Sequence, residues 1–178
     1  MKVYLARHGQ SIANEQKILN SDPKIPVHLT ELGRQQAEKL AEQLKNVPLD
    51  AIYISELIRT KETAEIINKY HNLKLQVDPR LNDNRSGFNG RPRKEFEIAF
   101  DKATDKPNAK FNDGESLEEV KQRTESFMNY LKLQKYENVL VVTSDIIAMY
   151  FHAILHHLSH EQTWALILDN GAYIKDSL

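Results

Sequence analysis

The hydrophobic residues of this chain form two kinds of pattern that alternate along the sequence. Short unbroken hydrophobic runs predict buried strands at residues 3–6, 51–54 and 139–142, and Leu75-Gln76-Val77 is a further short strand candidate. Hydrophobic positions three and four residues apart predict helices, with polar caps at Thr30, Ser55, Ser116 and Ser144. A further helical stretch is expected near 94–103. A closing pair of strands is expected at 165–168 and 172–174.

The alternation of strands and helices predicts the fold class. It is typical of an α/β protein, a three-layer α/β/α sandwich around a mostly parallel central sheet. No repeat or linker divides the chain, so residues 1–178 are expected to form one domain. Residues 82–115 contain several Gly and Pro and are expected to form a short cap or insert. In such sheets ligands bind beyond the carboxyl ends of the strands.

Composition narrows the classes of function. The 178 residues are 40% hydrophobic and 28% charged with a formal net charge of −1, so neither nucleic acid nor a membrane is expected as a partner. The sequence has no cysteine, which excludes disulfides, thiol nucleophiles and Cys-zinc sites. It has no Gly-rich phosphate loop or dinucleotide motif, and no cofactor is expected. Because the N-terminus lacks a signal-peptide core, a cytoplasmic location is expected.

Polar residues that can bind phosphate follow three of the predicted strands. They are Arg7-His8-Gly9, Ser55 with Arg59, and Ser144-Asp145. Two guanidinium groups beside an imidazole can form a phosphate clamp, because Arg binds phosphate oxygens with paired hydrogen bonds. For an isolated Arg-His-Gly motif the alternative is structural: Arg7 pairs with an acidic neighbour, and His8 is a partly buried histidine whose hydrogen bonds are satisfied.

Six motifs spread over nearly the whole chain carry a family resemblance. They are Leu5 to Ser11 with Asn14, Leu29 to Ala37, Ser55 to Thr60 with Thr63-Ala64, Leu81-Asn82-Asp83 with Gly87 and Gly90, Gly114 to Leu117, and Val139 to Thr143. In this order they resemble the histidine phosphatase superfamily, in the branch with an Arg-His-Gly motif and a phosphoglycerate-mutase-like fold. One such motif is weak, whereas six in order are specific.

The resemblance implies that His8 attacks phosphorus and becomes a phosphohistidine. Arg7 and Arg59 would hold the phosphoryl oxygens in the transition state. Further phosphate or substrate contacts would come from Gln10, Ser11 and Asn14. Asp83 occupies the place of the family's glutamate, which protonates the leaving oxygen, but its side chain is one methylene shorter. The alternatives are that Asp83 is only a turn residue, or that Glu115 is the acid.

Ser144 departs from the family, which carries a second histidine just after the fourth strand. A serine hydroxyl can donate one hydrogen bond to phosphate but brings no charge, so impaired catalysis is one interpretation. Ser144 is also an ordinary N-cap for the following helix, and Asp145 is expected to face away from the phosphate. A natural variant and an engineered replacement of a histidine both fit the sequence.

Two further clusters carry weaker hypotheses. One is a set of histidines at i, i+4 and i+8: His152, His156 and His160. No carboxylate ligand is in register with them, so polar residues at a helix end are favoured over a metal site, and no metal is expected. The other is a set of basic residues beside the candidate acid: Arg85, Arg91, Arg93 and Lys94. They form either an exposed loop face or a site for a second acidic group on the substrate.

The sequence therefore predicts a metal-independent phosphomonoesterase that hydrolyses a small phosphorylated substrate through phospho-His8. Two alternatives stay open: a phosphotransferase of the phosphoglycerate mutase type, and a catalytically weak module that binds a phosphorylated ligand or a protein. A mutase must exclude water under an enclosing cap, and the short segment between Asp83 and Gly114 argues against one. Neither the physiological substrate nor the oligomeric state is predicted.

Overall fold

Five strands and seven helices alternate along the chain in a computed structural model that describes all of residues 1–178. The strands are β1 (Lys2–Arg7), β2 (Ala51–Ile54), β3 (Leu75–Val77), β4 (Asn138–Thr143) and β5 (Tyr173–Ser177). The helices are α1 (Ile12–Gln16), α2 (Glu31–Leu44), α3 (Ile58–Asn68), α4 (Arg93–Asp101), α5 (Leu117–Lys132), α6 (Asp145–Leu155) and α7 (His160–Trp164). A short 3₁₀ helix at Pro79–Leu81 follows β3.

The strands form one sheet in the order β3-β2-β4-β1-β5. Strands β1 to β4 run parallel to one another, and β5 is antiparallel to β1 at the edge of the sheet. The register places Arg7 opposite Thr143, so the chain leaves β1 and β4 side by side. The predicted mostly parallel sheet is confirmed, and two of the predicted strand ends are brought together.

Side chains of the strands alternate between two hydrophobic cores, one on each face of the sheet. Val3 and Leu5 of β1 belong to the core that is covered by α5 and α6. Tyr4 and Ala6 belong to the other core, which is covered by α2 and α3. Because helices lie on both faces, the sheet is the middle of three layers. The predicted α/β/α sandwich is therefore confirmed.

The C-terminal segment differs from the predicted strand pair. Residues 165–168 form no strand. Leu168 is buried in the core beside α5 and α6, whereas Ile167 is 87% exposed. The free edge of β1 pairs instead with Tyr173–Ser177. One edge accepts only one additional strand, so the first hydrophobic run packs as a loop.

Two of the four predicted helix caps form as expected, and those at Ser55 and Ser144 do not. Thr30 caps α2 and Ser116 caps α5, and each side chain accepts a hydrogen bond from the backbone of the third helical residue. The helix after β2 begins at Ile58 rather than directly after Ser55. The Ser55 hydroxyl lies 2.8 Å from the Thr60 hydroxyl and is satisfied there, which removes it from the cap.

Residues 82–115 hold one helix, α4, close to the stretch predicted at 94–103. Stacked aromatic rings fasten this segment: Phe100 stacks on Phe96 with ring centroids 5.4 Å apart and on Trp164 at 4.9 Å. The assignment of the whole chain to one domain with a short insert stays a prediction. None of the helices is long and hydrophobic enough to cross a membrane. A cytoplasmic location stays a prediction as well.

Candidate active site

The exits of β1 and β4 border a cavity of about 970 Å³. Seven of the predicted site residues line it: Arg7, His8, Gln10, Ser11, Asn14, Arg59 and Asp83. Ser144 does not line the cavity, although its neighbour Asp145 does. The structure therefore brings most of the predicted site to one edge of the sheet, where parallel strands end.

The turn after β1 holds His8 in place through its backbone. The His8 N–H donates a hydrogen bond of 3.0 Å to the Thr143 carbonyl at the end of β4. Gly9 follows, and a Cβ there would overlap the Gly33 carbonyl in the first turn of α2. The Arg-His-Gly motif therefore needs its glycine because β1 and α2 approach so closely.

The hydrogen bonds of the His8 imidazole define its tautomer. Nδ1 lies 2.7 Å from the Gly9 carbonyl oxygen, which can only accept, so Nδ1 carries the proton. Nε2 is then the unprotonated nitrogen, and it accepts a hydrogen bond of 3.1 Å from Nε of Arg59. Burial, assisted by the positive charge of Arg59, holds the pKa of His8 well below its usual value of 6.5. His8 is therefore a neutral imidazole whose Nε2 lone pair can act as a nucleophile.

Arg59 lies in the first turn of α3 with a side chain only 3% exposed. Its NH1 donates to Oδ1 of Asn20 at 3.0 Å, and its NH2 donates to the Asn20 carbonyl at 2.8 Å. NH2 also pairs with Oδ2 of Asp83 at 3.0 Å. Burial lowers the pKa of Arg59, and the charge of Asp83 opposes that effect. The guanidinium is thus held at the cavity by groups from three separate segments.

Arg7 is held on the opposite side by a different carboxylate. NH1 donates to the Leu168 carbonyl at 2.7 Å, and NH2 pairs with Oδ2 of Asp145 at 3.2 Å. The Nε of Arg7 is buried without a hydrogen-bond partner. The expectation that Asp145 faces away is wrong, because the register of β1 with β4 brings the start of α6 beside Arg7. Arg7 therefore pairs with an acidic neighbour, as the structural alternative for the Arg-His-Gly motif predicts.

Ser144 is 2% exposed, and its Oγ has no hydrogen-bond partner. It occupies the N-cap position of α6, but the expected capping hydrogen bond is absent. The Ile146 N–H donates instead to Oδ1 of Asp145 at 2.9 Å. The Asp145 carboxylate has taken the donor that a capping hydroxyl would use, so the prediction of an ordinary Ser144 cap is wrong.

Polar residues beside His8 are partly committed to the backbone. Ser11 and Asn14 form a capping box at the start of α1. The Asn14 N–H donates to the Ser11 hydroxyl, and the Asn14 Oδ1 accepts from the Ser11 N–H at 3.0 Å and from the Asn170 amide at 3.4 Å, which leaves the Asn14 amide nitrogen available to the cavity. The Gln10 Oε1 accepts a hydrogen bond of 2.8 Å from the Thr30 hydroxyl. The amide nitrogens of Asn14 and Gln10 are therefore the side-chain donors that these contacts leave free for a ligand.

The two candidate acids have different surroundings. Asp83 lines the cavity, pairs with Arg59, and also accepts a hydrogen bond of 2.8 Å from the Asn84 N–H, as a turn residue would. Glu115 does not line the cavity. Its Oε1 is bound by Arg123 at 2.8 Å and by the Arg85 N–H at 3.0 Å. The structure thus places Asp83, and not Glu115, at the cavity.

No sequence pattern predicts two of the residues that contact the site. Asn20 holds Arg59 through both its side chain and its carbonyl. Asn170 donates a hydrogen bond of 3.0 Å to the His8 carbonyl. Both asparagines lie in loops, and only the folded chain brings them to the site. Their positions beside the β1 exit could not have been inferred from spacing.

Half of the predicted basic cluster reaches the cavity. Arg93 and Lys94 line it together with Lys17, whereas Arg85 and Arg91 do not. Arg91 forms an exposed ion pair with Glu95. The hydrophobic part of the wall comes from Phe96, Met149 and Trp164. The cavity lining therefore includes cationic and aromatic side chains in addition to the residues around His8.

The comparisons with known proteins agree with this geometry. The family model described as histidine phosphatase superfamily (branch 1) matches residues 3–175. The chain belongs to this superfamily. An adenosylcobalamin/alpha-ribazole phosphatase of Escherichia coli (strain K12) is 29% identical over 182 residues, which cover 97% of this chain and 88% of that protein.

A second member of the superfamily is similar over a shorter stretch. The fructose-2,6-bisphosphatase TIGAR of Xenopus tropicalis is 35% identical over 133 residues, which is 71% of this chain. The chain spans about half, 48%, of the length of that relative. The solved structure of the alpha-ribazole phosphatase from Shigella flexneri matches with a TM-score of 0.85 at 27% identity, covering 98% of this chain and 89% of that one. The superfamily fold is confirmed, and relatives named as phosphatases support an enzyme of this superfamily.

Proposed function

We propose that this chain is a phosphatase that hydrolyses a small phosphate monoester through a covalent phosphohistidine on His8. The observation that carries the proposal is the imidazole itself, which is buried and neutral and has Nε2 unprotonated. In the first step Nε2 forms a bond to phosphorus as the bond to the leaving oxygen breaks. In the second step water attacks phosphorus, the bond to Nε2 breaks, and inorganic phosphate is released.

Arg7 and Arg59 would supply the positive charge that this reaction needs, without a metal ion. Both side chains line the cavity on either side of His8. The Nε of Arg7 is a buried donor without a partner, and a phosphoryl oxygen would satisfy it. The Asn14 amide would add a neutral donor. Gln10 and Ser11, which line the cavity, are proposed as secondary contacts. Ser144 is also proposed as one, since its hydroxyl has no partner, but it does not line the cavity and would have to approach a bound phosphate.

Asp83 is proposed as the acid that protonates the leaving oxygen. It lines the cavity and pairs with Arg59, so its carboxyl lies beside the expected phosphate position. The negative charge of a bound phosphate ester favours a proton on a neighbouring carboxyl, and the departing oxygen would take that proton. After the phosphoenzyme forms, the same carboxylate would accept a proton from the attacking water.

The cationic side of the cavity supports a substrate with a second acidic or strongly polar group. Lys17, Arg93 and Lys94 line the cavity with Arg7 and Arg59. Relatives are named as phosphatases of fructose 2,6-bisphosphate and of alpha-ribazole compounds. A small phosphorylated metabolite is therefore the proposed substrate class, rather than nucleic acid or a membrane lipid.

One observation favours a second candidate function, a weak enzyme that mainly binds a phosphorylated ligand. Arg7 is already paired with Asp145, and the neighbouring Ser144 provides no charge. A negative group at this position opposes the build-up of negative charge on a phosphoryl oxygen. Binding could therefore persist where turnover is slow.

The first experiment measures hydrolysis of p-nitrophenyl phosphate with and without a metal chelator. We expect turnover that the chelator leaves unchanged, and an acid-labile phosphoenzyme after brief exposure to labelled substrate. His8→Ala should lose both while keeping its thermal melting curve. His157→Asn, at an exposed histidine with positive φ, is the matched control and should keep both. Activity retained in His8→Ala would overturn the mechanism, and phosphate binding without turnover would favour the second candidate.

A further inference from the structure

Two histidines at the end of α6 lie beside a buried carboxylate that no sequence pattern predicts there. His152 and His156 are four residues apart, so their imidazoles project from the same face of the helix. Their ring centroids are 4.3 Å apart. Asp176 reaches them from β5, on the edge of the sheet that packs against α6. His160, the third histidine of the predicted series, contacts Tyr150 instead.

The carboxylate of Asp176 makes its side-chain contacts with these two imidazoles alone. Oδ2 lies 2.8 Å from Nδ1 of His152, and Oδ1 lies 3.0 Å from Nε2 of His156. The Asp176 side chain is 5% exposed, and no Lys or Arg pairs with it. A buried carboxylate needs hydrogen-bond donors or a cation beside it, and both oxygens of Asp176 face imidazole nitrogens, which can serve either as N–H donors or as metal ligands.

The three side chains have the composition and spacing of a transition-metal site. One ligand atom from each residue lies within 4.8 Å of the others. Around a tetrahedral Zn²⁺ with bonds of about 2.0–2.1 Å, ligand atoms are roughly 3.3 Å apart, so small side-chain rotations suffice. His156 is 52% exposed and can make such a rotation, and its open side leaves room for water as a further ligand. Two imidazoles and one carboxylate suit Zn²⁺, Co²⁺ or Ni²⁺ rather than Mg²⁺ or Ca²⁺.

We propose that His152, His156 and Asp176 form a binding site for a divalent transition-metal ion of the Zn²⁺ class, separate from the phosphatase cavity. The helix α6 starts at Asp145 in that cavity and spans about 16 Å to its other end. An ion at the far end cannot reach the phosphate, and the proposed chemistry at His8 does not depend on it. Its effect is structural, because it joins the C-terminal strand β5 to α6.

The experiment titrates chelator-treated full-length protein with ZnCl₂ and with CoCl₂ by calorimetry. We expect one ion per chain with micromolar affinity, and a visible absorption spectrum of the Co²⁺ form that indicates nitrogen and oxygen ligands. Saturating Zn²⁺ should raise the melting temperature by about 5 °C or more. MgCl₂ should produce no comparable effect.

Variants assign the ion to these residues. His156→Gln, at the exposed ligand, should fold normally and weaken Zn²⁺ binding at least about tenfold, and Asp176→Asn should do the same. The control His157→Asn removes the adjacent imidazole and should bind Zn²⁺ as the parent does. His8→Asn should also retain binding, which separates this site from the phosphatase cavity. Absence of Zn²⁺ binding in the parent, or unchanged binding in His156→Gln, would overturn the proposal. The cluster would then be held together by hydrogen bonds between the imidazoles and the carboxylate, without a metal ion.

Discussion

Each arginine of the proposed phosphate clamp pairs with an aspartate, but the two pairs have different surroundings. Arg59 pairs with Asp83 at 3.0 Å, and its Nε also holds Nε2 of His8. Arg7 pairs with Asp145 at 3.2 Å, beside the partnerless hydroxyl of Ser144. The first pair directly contacts the proposed nucleophile through Arg59, whereas the second makes no hydrogen bond to the His8 imidazole.

The same parallel strand pair can therefore position two halves of a site that differ in their side-chain contacts. The exits of β1 and β4 are neighbours in a parallel register, so the fold presents both to the same cavity. What each half does is decided by the side chains after the strand. On the Arg59 side, the aspartate is the proposed proton donor to the leaving group. On the Arg7 side, we expect the aspartate to compete with phosphate for the arginine. Removing the two carboxylates should therefore have opposite effects.

The largest expected effect comes from Asp83→Asn. An amide keeps the shape of the side chain but cannot supply a proton, and general acid catalysis contributes about 10²–10⁴ in rate for a leaving group that needs one. Hydrolysis of alkyl phosphates should fall by that factor, while p-nitrophenyl phosphate should lose far less. Steady-state kinetics with both substrates measures the difference. Glu115→Gln is the comparison variant. An equal loss of rate for both substrates in Asp83→Asn would mean that another group supplies the proton.

Arg59→Ala should have the next largest effect. The guanidinium donates a hydrogen bond to Nε2 of His8 and would bind a phosphoryl oxygen, so its loss should cost about 2–4 kcal/mol of transition-state stabilisation, roughly 30-fold to 1,000-fold in kcat/KM. Inorganic phosphate should also bind more weakly, as measured by calorimetry. Arg59→Lys should recover part of the affinity but little of the rate, because Lys lacks the planar fork. Unchanged phosphate affinity in Arg59→Ala would remove Arg59 from the site.

Ser144→His should raise the rate constant for phosphoryl transfer at least about tenfold. An imidazolium at this position would add a charged donor near the phosphoryl oxygens, and it would offset the negative charge of Asp145. Single-turnover kinetics on both proteins measures the gain. Because Ser144 is buried, thermal melts must accompany the rates. A well-folded variant without any gain would place the ligand-binding function ahead of the enzyme.

The central strands were predictable from the sequence because both of their faces are buried. All six residues of β4 are buried, and the corresponding run is continuously hydrophobic. The prediction of a strand at 165–168 is wrong because core packing and strand pairing favour the same residue types. Leu168 packs in the core without joining the sheet. Hydrophobicity alone does not distinguish a strand from a loop whose side chains pack in the core.

Within the site, residues attached to strand ends were predictable, and contacts across the fold were not. Arg7 is the last residue of β1 and His8 follows it directly, so the strand fixes their position. The approach of Asn20 to Arg59, and of Asp176 to the α6 histidines, depends on loop paths and on an antiparallel register that no local pattern encodes. The prediction that Asp145 faces away from the phosphate is wrong for a related reason. The sequence shows which residues are charged, whereas the fold determines which oppositely charged residue lies nearest.

Asp145→Asn should have the smallest effect and the opposite sign to Asp83→Asn. The substitution removes the carboxylate that competes for Arg7, so inorganic phosphate should bind several-fold more tightly. The gain is modest because Asp145 is 24% exposed in its side chain, and solvent screens the ion pair that is lost. The asparagine oxygen can still accept the hydrogen bond from the Ile146 N–H, so the start of α6 should be preserved.

The measurement for Asp145→Asn is phosphate calorimetry at low and moderate ionic strength, and the difference from the parent should shrink as salt is added. Loss of an acidic residue from the first turn of a helix costs about 0.3–1 kcal/mol of stability through the helix dipole. Glu31→Gln removes the equivalent charge from the start of α2 and controls for that cost, because it should lower stability without changing phosphate affinity. Weaker phosphate binding in Asp145→Asn would mean that the carboxylate positions Arg7 rather than competing for it, and the two aspartates would then be alike in supporting the clamp.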